Sequence, residues 1–307
     1  DVYKRQTMNH VFCLSTERTI CKMLRNEKMM KIKFMLVIVL IFIAAAGLLD
    51  SLMAQETTVD APRPHTVGQS VSPSYEGWYP NADGSFSMVF GYFNRNHEEY
   101  LDIPVGPANH VKPGAPDRGQ PTHFLPRRNT GVFAVVVPED FGQQELWWSL
   151  TVNGETIEIP GHLRPEWQID ALQDVANSNT PPVVRFREDG DFGQGPGGIE
   201  VQKTTSLSQS MTLSVWAQDD GVSRARSRRG GPMVTWSKYR GPGTVTFGET
   251  QPTIAPTGLA VTEVSFGAPG QYILRALASD ESGGQRAVMA GGFYCCWTNA
   301  YVRVDVN

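Results

Sequence analysis

The sequence predicts an all-β protein built as two β-sandwich domains in tandem behind an N-terminal signal segment. Three observations predict it. Thirty glycines and 21 prolines punctuate the 307 residues, and long stretches with a 3.6-residue apolar period are absent. Asn153-Gly154 lies between two β-type runs, Leu150–Val152 and Thr156–Ile159, and in that setting both turn residues tolerate positive φ, so a hairpin is expected. Toward the C-terminus, four more β-type runs, around Trp236, Phe247, Tyr272 and Val304, are separated by Gly/Pro turns.

The first residues stand outside the fold. Asp1–Gln6 resembles translated adapter sequence, with initiation expected at Met23, Met29 or Met30, so residues 1–28 are read as a non-native leader. Residues 29–54 follow the grammar of an export signal. Lys28, Lys31 and Lys33 give it a positive start, Phe34–Leu49 is an apolar run, and cleavage is expected after Ala54. An uncleaved anchor needs about 20 apolar residues, and this run is shorter. Membrane contact is therefore expected only through this segment, if it stays uncleaved. A lipoprotein needs a cysteine directly after the run, and none is present.

Charge narrows the partners. Without residues 1–54, which hold eight basic and four acidic groups, the totals of 27 and 31 become 19 and 27, a net charge of −8. An acidic chain with no basic stripe is a poor phosphate neutraliser, so nucleic acid is set aside.

Residues 55–74, rich in Thr, Pro, Ser and Val, read as a linker. The first domain is expected over 75–176. Within it, 85–94 alternates, with Phe86, Met88, Phe90 and Tyr92 on one face, and 101–105, 130–137 and 146–152 continue the strand rhythm. Only 164–177 carries helical spacing, with Trp167, Leu172 and Val175 on one face. Residues 177–182 end in Pro181-Pro182, which cannot donate ladder hydrogen bonds. A new strand is therefore expected at Val183, opening a second domain over 183–307.

The second domain carries a family resemblance. Leu213–Gly221, Val234-Thr235-Trp236, Gly243–Phe247, Phe266–Leu277 and Asp280 resemble bacterial immunoglobulin-like domains of the polycystic-kidney-disease (PKD) repeat type. The resemblance covers about a third of the chain, and it implies a fold more than an activity. It implies that Trp236 is the core tryptophan of the third strand and that Tyr272 forms the tyrosine corner. Antibody-type domains carry a cysteine two residues on, where this chain has Leu274. With no cysteine in Met211–Gln218 either, Leu274 and Trp216 or Val215 are expected to fill the place of the inter-sheet disulfide. The remainder of the chain resembles uncharacterised secreted bacterial proteins, which implies nothing about activity.

Cys295-Cys296-Trp297 is the least ordinary tripeptide after the signal, and it holds the only cysteines there. In an oxidising compartment the two are expected to pair with each other, forming a stiff apolar platform beside Trp297 on which a flat ligand would stack. The alternatives are free thiols packed as small hydrophobes, an intermolecular bridge, or a soft-metal site. Arg224, Arg226, Arg228 and Arg229 crowd the connection between the second and third strands of this domain. They form either a clamp for planar anions or a solvated loop. Asp219, Asp220, Asp280 and Glu281 end two strands at the same end of the sandwich, where they either meet around Ca²⁺ or form turns. No other cofactor is expected.

The histidines match no zinc spacing, and no nucleophile elbow, phosphate loop or dinucleotide fingerprint is present. The expectation is an exported, non-catalytic binding or adhesion module of the bacterial cell envelope. Its location would be periplasmic, outer-surface or secreted, and its partner a protein or a glycan. The binding bet is Arg224–Arg229 with Trp297. The alternatives are a carbohydrate-active enzyme with its site in the first domain, and a structural spacer or assembly subunit.

Overall fold

A computed structural model of the chain describes residues 65–175, 178–222, 231–280 and 295–307, together with Met35. Apart from Met35 the signal segment lies outside the described residues, among which no helix is long and apolar enough to cross a membrane. Pro64–Asn307 form one compact unit, with strand content as the composition predicts.

The first half has eight strands: β1 Val71–Pro80, β2 Phe86–Asn94, β3 Leu101–Asp102, β4 Asn109–Lys112, β5 His123–Phe124, β6 Arg127–Val137, β7 Leu146–Val152 and β8 Glu155–Gly161. They make two three-stranded sheets, β1-β2-β6 and β4-β7-β8, with β3 and β5 as a separate ribbon. Asn153 (φ 54°) and Gly154 (φ 81°) close the β7–β8 hairpin between Val152 and Glu155. The sheets meet around Trp148. Its ring stands edge-on to Phe133 at 4.9 Å and to Phe90 at 6.2 Å. Met88, Phe90 and Tyr92 share this core as their alternation requires. Strand β1 begins at Val71, inside the stretch read as linker, where Val71 joins the same core.

Among the described residues of 164–177, the expected helix is absent. Pro165–Trp167 forms a short 3-10 turn, and the chain then runs alongside β1, where the Ile169 amide donates to the Trp78 carbonyl at 2.9 Å. Backbone bonding to the sheet edge replaces the helical ladder. Trp167, Leu172 and Val175, expected to share one helical face, are all exposed. This strap explains why β2 is buried on both faces, since Val89 packs with Tyr79 and Ala171 beneath it. Its close approach requires Gly77 (φ 129°), where a Cβ would lie 2.5 Å from the Trp167 carbonyl oxygen.

The described residues of the second half form nine strands: β9 Val183–Arg185, β10 Phe192–Gly193, β11 Ile199–Thr205, β12 Met211–Gln218, β13 Met233–Arg240, β14 Val245–Phe247, β15 Leu259–Phe266, β16 Gly270–Ser279 and β17 Trp297–Val306. One sheet runs β10-β9-β12-β15-β14, the other β11-β17-β16-β13. Apart from the added β10 and β11, that is the ABED-on-CFG order of an immunoglobulin sandwich. The fold is immunoglobulin-like. Trp236 is buried in its core, and the Tyr272 hydroxyl donates to the Ala268 carbonyl at 2.8 Å, closing the corner. Tyr272→Phe is expected to cost about 0.5–1.5 kcal/mol, measured as a shift in urea midpoint. An unchanged midpoint would mean that the corner contributes nothing.

Leu274 and Val215 fill the place of the missing disulfide, both fully buried in one cluster. Trp216 does not. Along β12 the odd residues Leu213, Val215 and Ala217 face the core, so strand alternation sends Trp216 to the opposite face.

The two sandwiches meet over the outer face of β13-β16-β17. Tyr239 and Ile273 join the core of the first half, with Tyr301 packed against it. The Tyr301 hydroxyl donates to Val132 O at 2.7 Å. Buried Arg275 donates twice to Asn299 Oδ1, at 2.9 and 2.7 Å. Asn299 Nδ2 in turn donates to the carbonyls of Gly131, at 2.9 Å, and Pro196, at 2.8 Å.

Candidate functional site

The Cys295–Cys296 disulfide is formed, and both residues are buried. Their sulfurs lie 3.7 and 3.5 Å from the Asn179 carbonyl oxygen. Joined sulfurs carry no proton, so these are packing contacts. Trp297 begins β17 and is only 4 % exposed. The expected exposed stacking platform is therefore corrected. Alternation along β17 sends Trp297, Asn299 and Tyr301 toward the first sandwich. There the indole lies against Gly131 (φ 54°), where any Cβ would collide with it. Trp297 is a seam residue and offers no face to a ligand.

Arg224, Arg226, Arg228, Arg229 and Glu281 lie outside the described residues. Asp219, Asp220 and Asp280 come to one end of the second sandwich. Burial, then the charges of Asp280 and Asp220, push the Asp219 carboxyl up from its ordinary value, with the Gly221 amide opposing. Asp220 accepts from the Thr180 amide at 2.9 Å and hydroxyl at 2.8 Å, and from the Val222 amide at 2.8 Å. Asp280 accepts from Asn179 Nδ2. These groups pin residues 178–182 to the sandwich. Among the described residues, no group of three or more His, Cys, Asp or Glu is arranged to hold a metal ion.

What the structure adds is a cleft beside the disulfide. It has a volume of ≈ 420 Å³, and its lining includes Glu76, Trp167, Asp170, Asp174, Val175 and Cys295. Strand β1 supplies Glu76 next to its bulge at Tyr75/Gly77, and the strap supplies the Trp167–Val175 wall. The two walls differ in chemistry. Val175, 77 % exposed, and Trp167 form an apolar rim, while Glu166, Asp170 and Asp174 add carboxylates.

Glu76 is the carboxylate at the base. Its side chain is 1 % exposed. Arg128 Nη2 donates to Oε1 at 2.7 Å and to Oε2 at 2.9 Å, and the Ser74 hydroxyl donates to Oε1 at 2.8 Å. Burial pushes its carboxyl up from the ordinary value, with the Arg128 charge opposing. Both oxygens are thus held in place. No sequence signal marked this pair, whose members are 52 residues apart.

No protein-family model matches the chain, and no curated protein is significantly similar to it. Solved structures give loose superpositions. The D00–D0 domain of intimin aligns at 10 % identity over 76 % of this chain and 99 % of its own, with a TM-score of 0.24. The D0–D1 domain of intimin gives 10 %, 77 %, 98 % and 0.22. Domains 4 and 5 of the S-layer protein SbsC give 12 %, 78 %, 98 % and 0.20. At such TM-scores the likeness carries no argument, and the fold rests on this chain's own strand order.

Proposed function

We propose that the chain is an exported, non-catalytic binding module of the cell envelope, with the cleft beside the disulfide as its binding surface. The observation that carries this reading is the cleft itself. A tryptophan and an exposed valine border it, four carboxylates line it, and no basic side chain is among its described lining residues. That chemistry suits a protein partner presenting a Lys or Arg side chain on an apolar base. The bonded cysteines support export, since such bonds persist in oxidising compartments. On its sequence motifs the second sandwich is read as PKD type.

The enzyme alternative needs a carboxylic acid free to give up a proton. Glu76 is locked by Arg128 and Ser74, which counts against that residue as the acid. The packed seam between the sandwiches favours a second reading, a rigid structural subunit.

A peptide array probed with the full chain tests the proposal. Basic amphipathic peptides are expected to be retained in a salt-sensitive way, and Trp167→Ala or Asp170→Asn to weaken retention about tenfold. Equal retention of the Trp167→Ala protein would remove the cleft as the site. Release of reducing ends from any glycan offered would overturn the non-catalytic reading.

A further inference from the structure

The outer face of the second sandwich carries a row of side chains that lie outside its core cluster. In the β10-β9-β12-β15 sheet, Phe192 is paired with Arg185, Arg185 with Trp216, and Trp216 with Leu259. Directly paired residues project to the same side, so these four stand side by side across the sheet. The opposite face is the core, where Val184, Val215 and Ala217 are buried. Phe192 is 61 % exposed, although an aromatic side chain on a strand usually finds cover. The Arg185 guanidinium lies 5.6 Å from the centroid of the Phe192 ring, and its Nη1 donates to Gln218 Oε1 at 3.2 Å. Beside the row is a depression of ≈ 460 Å³ whose lining adds Glu188, Asp189 and Thr257 to Arg185, Trp216 and Gln218.

We infer that this Phe192–Arg185–Trp216 row is a binding site for an uncharged oligosaccharide. Three features select that class. The two aromatic residues sit two strand spacings apart, about 10 Å, Phe192 exposed and Trp216 half-buried on the outer face, and an aromatic ring suits the C–H side of a sugar ring. Between and beside them are a planar guanidinium, two carboxylates, an amide and a hydroxyl. That mixture of donors and acceptors suits ligands made of hydroxyls. The two carboxylates outnumber the single guanidinium, which disfavours polyanions. Because the platforms are separated, one ring cannot touch both, so a chain of sugars is required. The site lies on the second sandwich alone and does not depend on the cleft proposed above.

Affinity electrophoresis of the full chain through gels containing hydroxyethyl cellulose, galactomannan or xylan, with alginate as the anionic comparison, tests this. Retardation by at least one neutral polysaccharide is expected, with affinity falling about tenfold in Trp216→Ala and in Phe192→Ala. Trp216→Phe, which keeps a ring, is expected to fall between. Trp167→Ala, at the cleft, is expected to bind sugar normally, so failure here leaves the peptide-binding proposal standing. The inference is overturned by no retardation in any neutral gel, by retardation only in alginate, or by a Trp216→Ala/Phe192→Ala protein that is retarded like the original. Equal competition by a monosaccharide and its tetrasaccharide would also overturn it.

Discussion

Replacing Arg128 with Met is expected to lower the unfolding free energy by about 3–5 kcal/mol at neutral pH, because it leaves a buried carboxylate without its cation. The asymmetry of the pair is the reason. Glu76 is 1 % exposed and Arg128 30 %, so the carboxylate bears most of the desolvation cost. The pH dependence has a defined sign. The folded-state pKa of Glu76 is raised above its unfolded value, chiefly by burial. The folded protein therefore holds this proton more tightly. Its contribution to stability is fully present below the unfolded pKa and is lost as pH rises through the folded one. Removing Arg128 takes away the opposing charge, which raises the folded pKa further and widens that window. Glu76→Gln is expected to abolish it. Urea midpoints of the three proteins across the acidic range measure both effects. A loss below about 1 kcal/mol for Arg128→Met, with an unchanged pH profile, would mean that Glu76 is solvated.

Trp297→Ala is expected to be equally damaging, at about 3–5 kcal/mol, or on the order of 10 °C in Tm for a unit of this size. The indole fills the space over Gly131, and no smaller side chain reaches across the seam from that position. Below its melting temperature the variant is expected to bind ligands as the original does, because Trp297 is covered. A protein of normal Tm that has lost ligand binding would reverse this and restore Trp297 as a contact residue. Thermal unfolding followed by near-UV circular dichroism, with binding measured alongside, separates the two outcomes.

What could be read in advance was local. Asn153-Gly154 needs only its own backbone preference to make a hairpin, and Tyr272 reaches a carbonyl four residues away. The absence of cysteine opposite Leu274 is likewise visible in one dimension. The candidate site was far less legible, because it depends on which side of a strand faces which neighbour. Residue type alone places Trp216 and Trp297 wrongly, because strand alternation sends Trp216 to the half-buried outer face of its sheet and Trp297 into the seam. The cleft arises from strand β1, a strap read as helix and a disulfide more than a hundred residues further on. No pattern in 164–177 announces that the Ile169 amide will bond to Trp78 once the short turn at Pro165–Trp167 ends. Glu76 and Arg128 have no sequence signal linking them at all.

Strands β11 and β17 run parallel, pairing Ile199 with Ala300 through to Thr205 with Val306. This has a mechanical consequence. A pull applied between the start of β11 and the end of β17 slides the two strands past each other along their length. Every bond of the ladder then bears load at once, whereas an antiparallel hairpin pulled from its open ends breaks one bond at a time. Within the second sandwich, the β11–β17 ladder is thus the one that such a pull loads in shear.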